Sequence, residues 1–362
     1  MPSRARVALI FGGRSVEHEI SILSARNIFA ALSPEKYDVV PIAIDRQGRW
    51  LIAGDVSVPA ASGSAEVMLV PGGNGRLAVT SSPGGSLAPI DVVFPALHGP
   101  LGEDGTVQGL LRLANVAFVG SSTLGAAISM DKEISKRLLR DVGIRIARFI
   151  AVKPGDDISF HKAMSELGVP LFVKPACLGS SVGTHKVADA SGYADALRDA
   201  FHYDNKVLVE EFVAGREIEC AILETAAGPI ASVPGEIIPA GRHAYYSYEA
   251  KYTDKFGAEL VVPASLPSRL IAEVQDVALK AFSALCAEGL ARVDFFLRSN
   301  GQILLNEMNA MPGFTAISMY PKLLAASGLS SEALMDQLIE RARVRFAREQ
   351  ELQPQLSQIR PA

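Results

Sequence analysis

Residues 291–309 read ARVDFFLRSNGQILLNEMN, two runs of strand-forming residues on either side of a polar turn. Asn300-Gly301 is the favoured pair for a two-residue type I′ turn, and such a turn fixes the register. Opposed residue numbers then sum to 601. Asp294 faces Glu307 and Arg292 faces Asn309, all on one face by the two-residue strand period, with opposed Cβ atoms about 4.5–5.5 Å apart. Two opposed carboxylates repel unless something neutralises them. A hard divalent cation with oxygen ligands does so, the amide oxygen of Asn309 completing the set. A surface hairpin with solvated charges, or an ion pair to Arg292, accounts for the same pattern.

The 362 residues around this hairpin predict two or three domains. Residues 7–11 form a buried strand that runs through Gly12-Gly13 into a helix with Val16, Ile20, Leu23 and Ala31 on its apolar face. Residues 37–44 and 91–96 supply further strands, which makes the first part α/β with a parallel sheet. Between them, residues 67–70 and 76–80 flank PGGNG as a small inserted hairpin. A second, α+β part holds the helix DKEISKRLLRDVG, the strand PLFVKP, a glycine-bearing loop, the helix SGYADALRDAF and the strand VLVEEF. The third contains a tyrosine-rich loop, the helix SRLIAEVQDVALKAFSALC, the hairpin and a helix from Ser331 whose polar tail is expected to fray. The expected divisions are 1–129, 130–217 and 218–362.

Composition removes several classes. Lys plus Arg number 35 against 39 Asp plus Glu, a net charge of −4 that offers no basis for nucleic-acid binding. No apolar run approaches the roughly 20 residues of a membrane span. Gly12, Gly13 and Arg14 interrupt the apolar stretch after Arg4 and Arg6 too early for a signal peptide, so the expected location is the cytoplasm. Three scattered cysteines give no disulfide or structural-metal pattern.

Lys174 ends a strand before CLGSSVG, whose small residues allow backbone N–H groups to approach phosphate oxygens; an ordinary turn reads the same way, and no GxxxxGK[ST] loop is present. Lys132, at a helix start, either reaches phosphate or is a solvated helical lysine. Residues 241–257, GRHAYYSYEAKYTDKFG, read as a lid with glycine hinges, rings that exclude water and Lys251 to neutralise a phosphoryl group; the alternative is an irregular surface loop. Glu17 and His18 follow the first glycine loop, where a carboxylate also suits the helix dipole. HGPLGEDG follows a strand end, which makes His98, Glu103 and Asp104 candidate pocket walls unless turn geometry alone explains the glycines.

Taken in order, FGGRSVEHEIS, LHGPLGEDGTVQG, SMDK, VKPACLGSSVG, VLVEEFVAGREIE, YEAKY, ARVDFFL and LLNEMNAMPGFTAIS closely resemble the D-alanine:D-alanine ligases of the ATP-grasp superfamily. The resemblance implies three domains, ATP between the second and third, two Mg²⁺ or Mn²⁺ ions, D-alanine as substrate, an acyl-phosphate intermediate and a homodimer. By position it implies that Lys132 and Lys174 meet nucleotide phosphates, that the backbone of Glu210, Glu211, Phe212 and Val213 meets adenine, and that Glu217 meets ribose. Glu211 stands where lysine is frequent in the family. Asp294, Glu307 and Asn309 match metal ligands, and Arg292 with the Gly313 amide matches the groups stabilising the tetrahedral intermediate. Glu17, Ser180 and Tyr252 match a substrate-side triad, and Ser318 with Met319 the second-substrate pocket; His98, from its strand-end place, is the remaining substrate-binding candidate.

Three other readings compete. A D-alanine:D-lactate or D-alanine:D-serine ligase shares the chemistry, although Tyr252 in YEAKY argues against lactate. A nucleotide-binding sensor has little reason to retain all three metal ligands. A dehydrogenase wants GxGxxG where this chain has FGGRS.

Overall fold

The computed structural model of the chain describes residues 4–56, 64–80, 85–241, 254 and 257–352. Its first part contains β1 (Ala5–Gly12), α1 (His18–Ala31), β2 (Tyr37–Ile44), β3 (Trp50–Ile52), β4 (Val67–Leu69), β5 (Leu77–Val79), β6 (Ser86–Leu87), β7 (Val92–Ala96), α2 (Thr106–Leu113) and β8 (Ala117–Phe118). One sheet runs β3-β2-β1-β7-β8, parallel except for the β3 edge, and β4, β5 and β6 form the small inserted sheet. The first and third strands of the parallel run, β1 and β7, are neighbours, so Gly12-Gly13 and His98 emerge together at carboxyl ends of the sheet.

The helix α1 buries Ile20 and packs Ala31 against the core, as its spacing predicts, but not the other two residues of the expected face. Val16, before the helix, and Leu23 are exposed, whereas Ile20, Ser21, Ser24, Ala25 and Ile28 are buried. Ala25 and Ile28 join the hydrophobic core, and hydrogen bonds explain the buried Ser21. The Ser21 hydroxyl accepts from the Gly12 amide and donates to the Ala96 carbonyl, tying α1 to both strand ends.

Helices α3 (Thr123–Met130) and α4 (Lys132–Asp141) follow, with the Asp131 carboxylate capping α4 by accepting from the amides of Glu133 and Ile134. The central part holds β9 (Phe149–Val152), α5 (Phe160–Leu167), β10 (Leu171–Pro175), β11 (His185–Val187), α6 (Ala190–Ala200) and β12 (Val207–Glu211). Its sheet is antiparallel, ordered β11-β10-β12-β9, with α5 and α6 packed against it.

The last part comprises β13 (Arg216–Thr225), β14 (Gly228–Ala231), β15 (Gly235–Pro239), β16 (Ala258–Val261), α7 (Ser268–Ala284), β17 (Leu290–Leu297), β18 (Ile303–Asn309), α8 (Met319–Ala326) and α9 (Ser331–Leu352). Its antiparallel sheet runs β16-β15-β13-β17-β18, with β14 also on β13. The expected division at residue 217 therefore falls inside β13. Alternation sorts the faces: Ile218, Cys220, Ile222, Val293 and Phe295 pack with α7, leaving Glu217, Glu219, Arg292 and Asp294 on the opposite face. The buried Leu334, Met335, Leu338 and Ile339 of α9 pack in the cluster that also holds the first sheet's Val92 and Phe94. Each such burial contributes roughly 1.5–3 kcal/mol. Residues 353–362 of the polar tail lie outside the described residues.

The hairpin reaches the expected pairing by a different route. Gly301 N–H donates to the Arg298 carbonyl, and Gly301 has a φ of +83°, which makes residues 299–301 a three-residue loop rather than a two-residue turn. Near the loop, Leu297 pairs with Ile303 and Phe295 with Leu305, one short of the expected register. A β-bulge at Asp294/Phe295 then restores the 601 sum, pairing Asp294 with Glu307 and Arg292 with Asn309. It also reverses side-chain parity on β18. Met308 joins Ile303 and Leu305 in the core, and Glu307 turns to the other face.

Candidate active site

A cleft of about 410 Å³ lies between the central sheet and the six-stranded sheet. Its lining brings together Lys132, Lys174, Ser180, Glu210, Glu211, Phe212, Val213, Glu217, Asp294 and Glu307, contributed by α4, β10 and the loop after it, β12 and the residues that follow it, β13, β17 and β18. Lys132, at the start of α4, donates to the Leu178 carbonyl at 2.7 Å and lies 3.6 Å from Glu307. It is buried, which decides against the solvated-lysine reading.

At the back of the cleft the Glu210 carboxylate sits between two ammonium groups, Lys174 Nζ at 2.8 Å and Lys136 Nζ at 3.2 Å. Burial would raise the Glu210 pKa, but the two cations hold it below the usual carboxylate value. Burial likewise opposes the charge of Lys174, yet Glu210 and Glu307 keep its pKa above that of an ordinary lysine. Lys136 was not among the residues that the motifs singled out; its only sequence signal is its place one helical turn beyond Lys132. Glu211 points elsewhere, held by the Arg148 guanidinium at 2.8 Å, so its carboxylate is already paired where the family has lysine.

On the hairpin, Arg292 donates to both oxygens of Asp294 and also lies 3.0 Å from Glu219. Burial works against the Arg292 charge, and Asp294 with Glu219 more than offsets it, raising the pKa further above the ordinary arginine value. The Asn309 amide nitrogen donates to Asp294 Oδ2 at 3.0 Å, which leaves the Asn309 carbonyl oxygen as the side chain's acceptor atom. Among the described residues no three His, Cys, Asp or Glu side chains form a group able to hold a metal. Asp294, Glu307 and Asn309 offer only oxygen acceptors, the ligand type that hard divalent cations such as Mg²⁺ or Mn²⁺ take. Glu219, paired with Asp294 across the β13–β17 ladder, escaped the sequence reading although its alternation with Glu217 places both on the cleft face.

The loop after β10 carries Ser180 and Ser181 in the left-handed region, with φ of +53° and +57°. This conformation aims the Ser180 hydroxyl across the cleft mouth, where it donates to the Glu17 carboxylate, 163 residues away in sequence. Glu17 is buried, and Gly99 gives it room: a Cβ at Gly99 would lie 2.6 Å from Glu17 Oε2. His98 sits beside it, with Nε2 2.8 Å from Ser24 Oγ and Nδ1 3.3 Å from Glu103. Burial lowers the His98 pKa, but Glu103 and Glu17 overcome it and the net shift is upward. Asp104 is a turn residue rather than a pocket wall, since its carboxylate accepts from the amides of Leu101 and Thr106.

The segment after β18 carries Gly313 and Ser318. Ser24 Oγ accepts from the Phe314 amide at 3.2 Å, and Asn27 donates to the Phe314 carbonyl at 2.8 Å. Ser318 Oγ accepts from the Thr315 amide, shaping the turn that holds it. Met319 is a core residue, buried among the cluster under α8, and so does not offer a pocket surface. Lys251 and Tyr252, with most of the 241–257 segment, lie outside the described residues.

Residues 6–121 match the family described as D-ala D-ala ligase N-terminus, and residues 138–340 the family described as D-ala D-ala ligase C-terminus. A D-alanine–D-alanine ligase A of Mesorhizobium japonicum is 50% identical over 353 residues, covering 95% of this chain and 99% of that protein. The solved D-alanine–D-alanine ligase of Coxiella burnetii superposes with a TM-score of 0.85 at 36% identity, covering 96% of this chain and 97% of that one. The Bacillus anthracis D-alanine–D-alanine ligase, solved in complex with ATP, gives 0.72 at 28% identity, covering 95% and 99%. With both halves matched in order over nearly the whole length, this chain belongs to the D-alanine–D-alanine ligase family.

Proposed function

We infer that the chain joins two D-alanine molecules into D-alanyl-D-alanine at the expense of ATP, supplying a peptidoglycan precursor in the cytoplasm. The observation that carries this reading is the hydrogen bond from Ser180 to Glu17, which joins the loop beside the cleft lysines Lys132 and Lys174 to a buried carboxylate at the start of α1. A nucleotide phosphate and an amino-acid ammonium are the complementary charges for those two places. The natural division is one body for each of the three main sheets, near the expected 1–129, 130–217 and 218–362, and the family resemblance supports a homodimer.

A carboxylate is a poor electrophile until one oxygen belongs to a leaving group. Glu17 receives the ammonium of the first D-alanine, and Lys132 and Lys174 draw the ATP phosphates into the cleft. The substrate carboxylate attacks the γ-phosphorus, a P–O bond forms as the bond to ADP breaks, and an acyl phosphate results. The neutral amine of the second D-alanine attacks the acyl carbon, loses a proton, and inorganic phosphate departs with the C–O bonding pair. Arg292 and the Gly313 amide stabilise the oxyanion formed at that carbon, while Ser318 receives the second carboxylate. Two Mg²⁺ or Mn²⁺ ions held by Asp294, Glu307 and Asn309 would supply charge neutralisation at the phosphoryl oxygens. Lys251 and Tyr252 belong to the proposed lid that keeps water from the acyl phosphate.

The deciding assay measures ADP, phosphate and dipeptide together, with Mg²⁺ or Mn²⁺, against D-alanine, L-alanine, D-serine and D-lactate. Equal amounts of ADP and D-alanyl-D-alanine are expected. ADP release without any ligated product would sink the ligase reading, and preferential ester or D-serine product would reassign the second substrate.

A further inference from the structure

Lys136 is fully buried and does not line the cleft, yet it lies 3.2 Å from the carboxylate that holds a cleft lysine. Glu210 has two oxygens and divides them: Oε2 meets Lys174 at 2.8 Å, Oε1 meets Lys136. A single lysine–glutamate pair is formally neutral. The same carboxylate shared by two lysines carries one net positive charge, and only Lys174 is in a position to present it to the cleft. Burying a second cation has a desolvation cost, so a lysine at a wholly enclosed place needs a compensating interaction. Glu210 supplies it.

We propose that Lys136 is a positioning residue for ATP: by taking part of the charge of Glu210 from the rear, it leaves Lys174 free to meet the nucleotide as a net cation. The inference rests on ATP occupying this cleft. It assigns a role to a side chain that touches neither nucleotide nor metal, and it explains why a glutamate can stand beside a phosphate-binding lysine without cancelling it. The i, i+4 spacing of Lys132 and Lys136 on α4 makes the two effects geometrically joint. One helix face presents Lys132 directly to the cleft and Lys136 indirectly through Glu210. Glu210 acts on both lysines: it raises Lys174 together with Glu307, and it opposes, without overcoming, the lowering of Lys136 by burial.

The test is calorimetric titration of ATP with Mg²⁺ into the full-length protein without D-alanine, together with KM for ATP and kcat, for wild type, Lys136→Met and Lys136→Met/Glu210→Gln. Methionine preserves length and removes the charge. Lys136→Met is expected to weaken ATP binding about tenfold or more, with kcat at saturating ATP within about threefold of wild type. The double variant, in which Lys174 no longer pairs with a carboxylate at position 210, is expected to regain most of the lost affinity. Wild-type affinity in Lys136→Met accompanied only by a lower melting temperature would overturn the proposal and make Lys136 a purely structural residue. So would a double variant that binds ATP no better than the single one. If Lys136→Met does not fold, the double variant decides against wild type, since it removes the carboxylate that Lys136 would leave unpaired and retains Lys174: near-wild-type affinity supports the role and a large loss overturns it. Failure of wild type itself to bind ATP would instead strike at the ligase reading.

Discussion

The Arg292 guanidinium lies on both oxygens of Asp294, Nε to Oδ1 and Nη2 to Oδ2, each at 2.7 Å. The pair explains how two carboxylates can face each other across a hairpin without unfolding it. Arg292 also holds Glu219 at 3.0 Å, so removing the charge of Asp294 does not orphan the arginine.

Asp294→Asn is therefore expected to fold, with a melting temperature within a few degrees of wild type, while losing about a hundredfold or more in kcat. Charge neutralisation at a transferring phosphoryl group is commonly of that size. Melting curves and ADP release across a Mg²⁺ titration check both halves. Normal turnover at limiting Mg²⁺ would remove Asp294 from the metal set.

The segment carrying Gly313 is held by α1 through Ser24 and Asn27, whose side chains take the amide and carbonyl of Phe314. Asn27 is exposed on its helix, so Asn27→Ala should cost little stability. If the Gly313 amide stabilises the second transition state, loosening Phe314 slows amine attack more than phosphoryl transfer. Acyl phosphate then has longer to hydrolyse. Asn27→Ala is expected to raise the ratio of phosphate released to dipeptide formed, with KM for ATP unchanged; a ratio that stays at one counts against the clamp.

The sequence made much of this arrangement legible where chemistry and periodicity act locally. The β1, β2 and β7 strands, the α4 helix and the Asp294–Glu307 pairing all follow from short patterns. The pairing held because two departures cancelled: the loop at residues 299–301 is one residue longer than expected, and the bulge beyond Phe295 adds one back. Turn propensity does not reveal a bulge six residues away. On α1 the spacing marks Ile20 and Ala31 but not Ser21, because a serine that satisfies a strand end has no hydrophobic signature. Lys136 and Glu219 were invisible because their partners lie on other elements, α4 against β12 and β13 against β17.

His98 supplies a pH prediction. Glu103 and Glu17 raise its pKa in the folded chain above the ordinary histidine value, despite the opposing effect of burial. A group with a raised folded pKa stabilises fully below its unfolded pKa of about 6.5 and loses that contribution as pH rises through the folded value. The melting temperature should therefore contain a component that falls above pH ~6.5 and shrinks in Glu103→Gln. Proton NMR of the His98 ring provides the direct check: a midpoint unchanged by Glu103→Gln would disprove the coupling.

Ser180 separates backbone strain from hydroxyl chemistry. It and Ser181 occupy the left-handed region, where a side chain costs roughly 1 kcal/mol and glycine is free of that cost. Its hydroxyl donates to Glu17, the group expected to receive the first D-alanine. Ser180→Ala keeps the strain and removes the hydrogen bond, whereas Ser180→Gly removes both. Both variants leave Glu17 short of a donor, so both are expected to raise KM for D-alanine by about tenfold while KM for ATP moves far less. Stability should divide them. Ser180→Ala is expected to melt lower than wild type, and Ser180→Gly to recover part of that loss, because relief of the φ of +53° offsets the missing hydrogen bond. If Ser180→Gly retained wild-type KM for D-alanine, the hydroxyl would have no part in the substrate pocket, and the link from Ser180 to Glu17 would be only a structural contact between the central sheet and the first.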